Sequence, residues 1–151
     1  MRLESDAFEP SGMIPSEHTC DGMDVSPPLA WSDPPGNTAS FALVCDDPDA
    51  PSGSWVHWIV WNIPAAEHRL TQEVEKSAEV SGGIRQGTND FRRVGYGGPC
   101  PPSGTHRYFF RLFALDTVLA LPASATRKDL ERAMRGHVLA QAELMGKYQR
   151  S

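Results

Sequence analysis

Three apolar runs of strand length organise this chain. Residues 40–46 are apolar almost without a break, from Phe41 through Cys45, which predicts a central strand buried on both faces. Residues 56–63 follow with Val, Ile and Trp, bounded by Gly53 and Pro64. Residues 107–115 carry Tyr108-Phe109-Phe110-Arg111-Leu112-Phe113-Ala114-Leu115 and read as a third buried strand. Together the three runs form the expected core of a sheet. Around them, 13 prolines and 13 glycines cut the rest into short pieces, the punctuation of short strands joined by ordered loops.

Between the second and third runs, residues 67–87 are polar and rich in Glu, Ser and Gly, which predicts a surface excursion with at most a short helix over residues 72–76. One helix has a full set of signals. Thr126 is the N-cap and Asp129 the acid three residues on; Leu130, Ala133 and Met134 make the apolar stripe, and Gly136 is the residue past the end. After it the period changes to two. Ala140, Ala142, Leu144, Gly146 and Tyr148 alternate with Gln141, Glu143, Met145, Lys147 and Gln149, which predicts a closing strand. The helix-favouring Ala, Leu, Met and Glu in this stretch make continued helix the alternative. Strands dominate and no βαβ rhythm is present. The expected fold is therefore mainly β: antiparallel strands in two packed sheets with one or two peripheral helices. No repeat, low-complexity tract or linker divides the chain, so residues 1–151 are read as one domain.

Charge narrows the partners. The formal net charge is −5, and Arg85, Arg92, Arg93 and the Arg127-Lys128-Arg132-Arg135 group are scattered among acids rather than clustered. Nucleic acid is excluded on that ground, since phosphate-backbone binding needs clustered Lys and Arg. No apolar stretch approaches the ~20 residues that span a bilayer. Met1-Arg2-Leu3-Glu4-Ser5-Asp6 lacks the apolar region of a secretory signal, so the cytoplasm is the expected compartment. The 3 cysteines include no C-x-x-C pair, which excludes a zinc ribbon. Cys45 lies in the first apolar run and is expected as a buried thiol; Cys20 and Cys100 flank turns and are expected nearer the surface.

Two polar blocks stand against this apolar background. The first is Asp47-Pro48-Asp49-Ala50-Pro51 followed by Trp55-Val56-His57-Trp58. The second is Gly97-Gly98-Pro99-Cys100-Pro101-Pro102 followed by His106-Arg107-Tyr108. Each sets a proline-stiffened turn directly before a strand bearing a histidine, and proline fixes φ and restricts the residue before it. Asp47 has two readings: an Asx-turn residue bonding its own backbone, or a carboxylate facing a ligand or orienting a histidine. Strand alternation puts His57 on the opposite pleat from Trp58. It puts His106 and Tyr108 on one face, with Arg107 on the other, paired to a structural carboxylate. Two imidazoles and a phenol suit an anionic oxygen ligand, a compact phosphate or carboxylate. A metal is not expected, because no H-x-H or H-x-x-x-H pair is present, and no cofactor motif is found. The competing reading is a small hydrolase with Cys100 as nucleophile and His106 as base, although no glycine elbow supplies an oxyanion hole.

These blocks resemble the phosphatidylethanolamine-binding protein family, also called Raf kinase inhibitor-like proteins. The resemblance extends from Thr19-Cys20-Asp21-Gly22 and Ser26-Pro27-Pro28-Leu29-Ala30-Trp31 to Gly146 and Tyr148. Trp61-Asn62-Ile63-Pro64 and Thr88-Asn89-Asp90-Phe91 are similar to the short bacterial and archaeal branch. There the latter turn usually continues with glycine; here Arg92 and Arg93 follow. The resemblance implies a central antiparallel sheet and an anion pocket. Its ligand residues fall on Asp47, His57, His106 and Tyr108, with Cys100 and Pro101 at the rim. It further implies a non-enzymatic binding or regulatory module and a homodimer. A protein-interaction role, as inhibitor of a kinase or protease, is a third reading compatible with the first.

Overall fold

The computed structural model describes residues 1–150. The three apolar runs become β3 (Ser40–Asp47), β4 (Trp55–Pro64) and β8 (His106–Leu115). In chain order the other elements are β1 (Arg2–Glu4), β2 (Leu29–Ser32), β5 (Arg69–Leu70), β6 (Glu79–Val80), β7 (Ile84–Gln86), the helix α1 (Arg127–Met134) and β9 (Val138–Tyr148). They form a six-stranded sheet in the order β6-β7-β4-β3-β8-β9 and a three-stranded sheet in the order β1-β2-β5, with every strand pair antiparallel. The fold is mainly β with two packed sheets, as the strand-and-turn pattern predicts.

Every residue of β3 is buried, because the large sheet is covered on both faces. One face carries Phe41, Leu43, Cys45, Trp58, Val60, Tyr108, Phe110 and Leu112, packed under Leu3, Leu29, Trp31 and Leu70 of the small sheet. The other carries Ala42, Val44, Ile59 and Trp61 and is covered by Leu119, Leu130 and Met134. A continuous apolar run is what such a two-sided burial requires. The adjacent carboxylates Asp46 and Asp47 consequently go to opposite faces. Asp46 receives the guanidinium groups of Arg111 and Arg127, the latter at 2.8 Å, and so ties the start of α1 to the sheet.

The helix starts where its cap predicts: the backbone N–H of Thr126 donates to Asp129 Oδ2 at 3.0 Å. Gly136 has φ +85°, a left-handed value that glycine adopts without strain, and ends the helix. Helical continuation beyond it does not occur; β9 pairs with β8 along nearly its whole length. The segment 67–87 differs from expectation in part. The absence of a helix over 72–76 agrees with the expectation of at most a short one, but the segment is not mere surface. It contributes three short strands and buries Leu70, Ile84 and Gln86. Gln86 is fully buried, accepts from Trp58 Nε1 at 2.7 Å and donates to the carbonyls of Glu75 and Ser77. Strands of two or three residues leave no period to read, which is why the composition of this segment suggested mere surface.

Candidate functional site

The site lies at one end of the face that the small sheet covers, where the apolar rows of β3 and β8 turn polar. Along β3 the row Phe41, Leu43, Cys45 ends in Asp47. Along β8 the row Ala114, Leu112, Phe110, Tyr108 ends in His106. His57 joins them by a different device. Cys45 stands opposite Trp58 but Asp46 stands opposite Val56, so His57 is an extra residue in β4. The bulge overturns the strict alternation predicted from sequence: His57 does not point away from the Trp58 face but packs edge-on against Tyr108, with ring centroids 5.3 Å apart. Three backbone groups at the bulge are satisfied by the 90–97 loop. Asp90 Oδ2 accepts from Val56 N–H at 2.7 Å, Asp90 N–H donates to the Val56 carbonyl at 2.9 Å, and Gly97 N–H donates to the His57 carbonyl at 2.9 Å.

Both histidines have one ring nitrogen assigned by its partner. His57 Nδ1 lies 2.6 Å from the Gly97 carbonyl, which only accepts, so Nδ1 carries the proton. His106 Nδ1 lies 2.6 Å from Asp47 Oδ2 and donates in the same sense. In each ring Nε2 is the nitrogen left for a ligand. Both readings of Asp47 hold at once: Oδ1 accepts the Asp49 N–H at 2.7 Å in an Asx turn across Pro48, and Oδ2 orients His106. Asp49 in turn takes Arg107 in a bidentate pair, 2.9 Å on each oxygen, which anchors the proline turn to β8 as expected of Arg107. That pairing, its side-chain hydrogen bonds first, holds the Asp49 carboxyl down at about 2.

Burial shifts the site's titrations. Desolvation pushes His57 below its ordinary value, against the opposing pull of the Gly97 carbonyl and the Asp47 charge. Desolvation also pushes the Tyr108 phenol far above its usual range, so it remains a donor at any physiological pH. Tyr108 is buried, and its hydroxyl has no hydrogen-bond partner among the described residues. A buried donor without an acceptor costs ~1–3 kcal/mol, which a bound oxygen would recover.

All six residues singled out from sequence, Asp47, His57, Cys100, Pro101, His106 and Tyr108, line one cavity of about 290 Å³. Its volume suits a headgroup rather than a drug-sized molecule. Trp55 and Phe91 close the opposite wall. Phe91 was not singled out. It stands edge-on to His57 with centroids 5.4 Å apart, at the tip of a turn in which Asn89 Oδ1 accepts the N–H groups of Phe91 and Arg93. The signal was the Thr88-Asn89-Asp90-Phe91 motif, whose Asn and Asp mark a turn but say nothing of which wall its aromatic reaches.

Cys100 is corrected in kind. It is bonded to Cys20, with Cα atoms 5.4 Å apart, and only Cys45 is free. Cys100 therefore offers no thiol, and the nucleophile of the hydrolase reading is absent from this form. The bridge lies beside two further ties between the same segments: Cys20 N–H to the Pro99 carbonyl at 3.1 Å and Gly98 N–H to Asp24 Oδ1 at 2.7 Å. Among the described residues no group of three His, Cys, Asp or Glu side chains is placed to hold a metal.

Known proteins show the same organisation. The sequence profile of the phosphatidylethanolamine-binding protein family matches residues 4–149. The chain belongs to this family. A UPF0098 protein of Methanothermobacter thermautotrophicus is 53% identical over 150 residues, covering 99% of each chain. One from Aquifex aeolicus is 52% identical over 153 residues, covering 99% of this chain and 89% of its own. Among solved structures, a phosphatidylethanolamine-binding protein homologue from Chlamydia trachomatis superposes with TM-score 0.92 at 39% identity, over 99% of this chain and 97% of that one. Escherichia coli YbcL, described as a member of the mammalian phosphatidylethanolamine-binding protein family, matches with TM-score 0.92 at 32% identity, over 99% and 98%. No helix among the described residues of this family member is long and apolar enough to cross a membrane.

Proposed function

We propose that this protein, acting as one domain over residues 1–151, binds a small phosphate- or carboxylate-bearing ligand in the Asp47–His57–His106–Tyr108 cavity and performs no chemistry on it. One observation carries the reading: two histidines with Nδ1 already committed to acceptors and a buried phenol without one surround the same 290 Å³ space. These three groups serve an oxygen anion once each Nε2 carries a proton. Cys100 and Pro101 act as a stiff rim. Asp47 positions His106 and fixes which nitrogen faces the ligand. Neutral histidines would leave the cavity with the Asp47 charge alone, which repels an anion, so binding takes up protons.

The sign follows from His57. Its value is depressed in the free protein, and an anion beside Nε2 favours the charged ring, so affinity rises as pH falls from the bound-state value toward the free one. Sulfate is the appropriate probe, because it remains a dianion while phosphate itself titrates near neutrality. Calorimetry should give sulfate affinity about tenfold higher at pH 5.5 than at pH 8. Equal affinity at both values removes protonated histidine from the account. Incubation with 4-nitrophenyl phosphate and 4-nitrophenyl acetate should release no nitrophenol above buffer; turnover that His106→Ala abolishes would replace the binding module with the hydrolase.

A homodimer and a protein target such as a kinase or protease belong to this proposal through the resemblance alone. Cytoplasmic residence is part of it too, and the Cys20–Cys100 bond weighs against it, since disulfides persist mainly in oxidising compartments.

A further inference from the structure

A second, larger cavity adjoins the first. It has a volume of about 630 Å³ and runs along the outer side of the Cys20–Cys100 bridge, over Val94, Tyr96 and the Gly97-Gly98 backbone. Cys100 and Phe91 line both spaces, so the two meet at these side chains. The absence of a side chain at Gly97 makes this junction: a Cβ there would come within 2.6 Å of the Phe91 ring. Phe91 lies against bare backbone there and borders both spaces.

The groove is apolar at its floor and cationic at its mouth. Arg93 is exposed and lines it, and its guanidinium makes no ion pair or side-chain hydrogen bond among the described residues. Lys76 lines it as well and reaches Asp24 only at 3.7 Å, while Asp24 also accepts from Gly98 N–H.

We infer that the groove holds the body of the ligand: a small organic anion whose phosphate or carboxylate head enters the histidine cavity, whose aromatic or aliphatic body crosses Phe91 onto the floor at Val94 and Tyr96, and whose second acidic group meets Arg93. The inference rests on the proposed anion cavity and names the class of molecule it selects. A lone phosphate reaches only the histidine cavity and leaves Arg93 without a counter-ion. A monoester with an acid at its far end uses both.

Calorimetry at pH 6 on the full chain, with inorganic phosphate, phenyl phosphate and 4-carboxyphenyl phosphate as probes, tests this. Phenyl phosphate should bind about tenfold more tightly than phosphate, and the added carboxylate should contribute a further factor of roughly three to ten. Arg93→Ala should remove that last factor and leave the affinities for phosphate and phenyl phosphate unchanged. Equal affinities for the three probes, or a carboxylate increment that survives Arg93→Ala, overturn the groove assignment while the anion cavity stands. Failure of all three probes to bind overturns the anion cavity and the groove together.

Discussion

Replacing His106 by alanine is expected to weaken sulfate or phosphate binding at least about a hundredfold, to the limit of calorimetric detection. Removing a charge-assisted hydrogen bond at a buried site costs ~1.5–3 kcal/mol, and here it also leaves Asp47 Oδ2 facing the cavity without its donor. Asp47→Asn gives the sharper result. The amide oxygen can still accept the Asp49 N–H, so the turn survives, but its NH2 cannot accept from His106 Nδ1. His106 is then free to take the tautomer with the proton on Nε2, where the anion sits, and the cavity loses its negative charge. Sulfate binding should vary less with pH between 6 and 8 than in the wild type, the remaining dependence coming from His57, whose Nδ1 stays on the Gly97 carbonyl, and affinity at pH 8 should exceed that of the wild type. A thermal melt separates these effects from unfolding. Full sulfate affinity in His106→Ala, or an unaltered pH profile in Asp47→Asn, would show that the Asp47–His106 pair does not face the ligand.

Much of the fold is legible because its strands are long. The uninterrupted apolar run of β3 announces a strand buried on both faces, and the two-residue period over 140–148 announces β9. The helix is readable because capping is local chemistry: Thr126, Asp129 and Gly136 act within ten residues of one another. By contrast β5, β6 and β7 are two or three residues long, and their existence depends on partners elsewhere, Ala30 for Arg69 and Val60 for Gln86. Gln86 is the extreme case. A glutamine in a polar stretch reads as surface, yet it is fully buried because Trp58 Nε1 and two carbonyls surround it.

The candidate site divides in the same way. Stiff turns and the residue types around them are local, so the six lining residues could be named and their convergence anticipated. His57's direction could not. A bulge arises from the register of β4 against β3, and one extra residue reverses every later side chain relative to the earlier ones. Asn62, with φ +56°, does this a second time near the far end of β4, and its side chain both donates to and accepts from the Leu119 backbone at 2.8 Å. Phe91 was legible as part of a turn but not as a wall of the cavity, because a turn motif specifies its own hydrogen bonds and not the cavity its tip reaches.

The bond between Cys20 and Cys100 joins positions 80 residues apart, and no local pattern could pair them. Closing so long a loop removes unfolded-state entropy worth ~4–5 kcal/mol in the chain-entropy model, while measured losses on removing native disulfides run at about 2–5 kcal/mol. For a chain of this size one kcal/mol moves Tm by roughly 2–4 °C. Reduction with dithiothreitol, or the double substitution Cys20→Ser/Cys100→Ser, should therefore lower Tm by roughly 10 °C. The folded site should survive, because Cys20 N–H still reaches the Pro99 carbonyl, Gly98 N–H still reaches Asp24, and Tyr96 still donates to the His18 carbonyl at 2.6 Å. Sulfate affinity is accordingly expected to fall by no more than about threefold in the reduced protein at 25 °C. A Tm unchanged by reduction would show that the 19–24 turn is held by its hydrogen bonds alone. A large loss of sulfate affinity with little change in Tm would mean instead that the bridge sets the cavity rim directly, making the ligand site itself responsive to the redox state of Cys20 and Cys100.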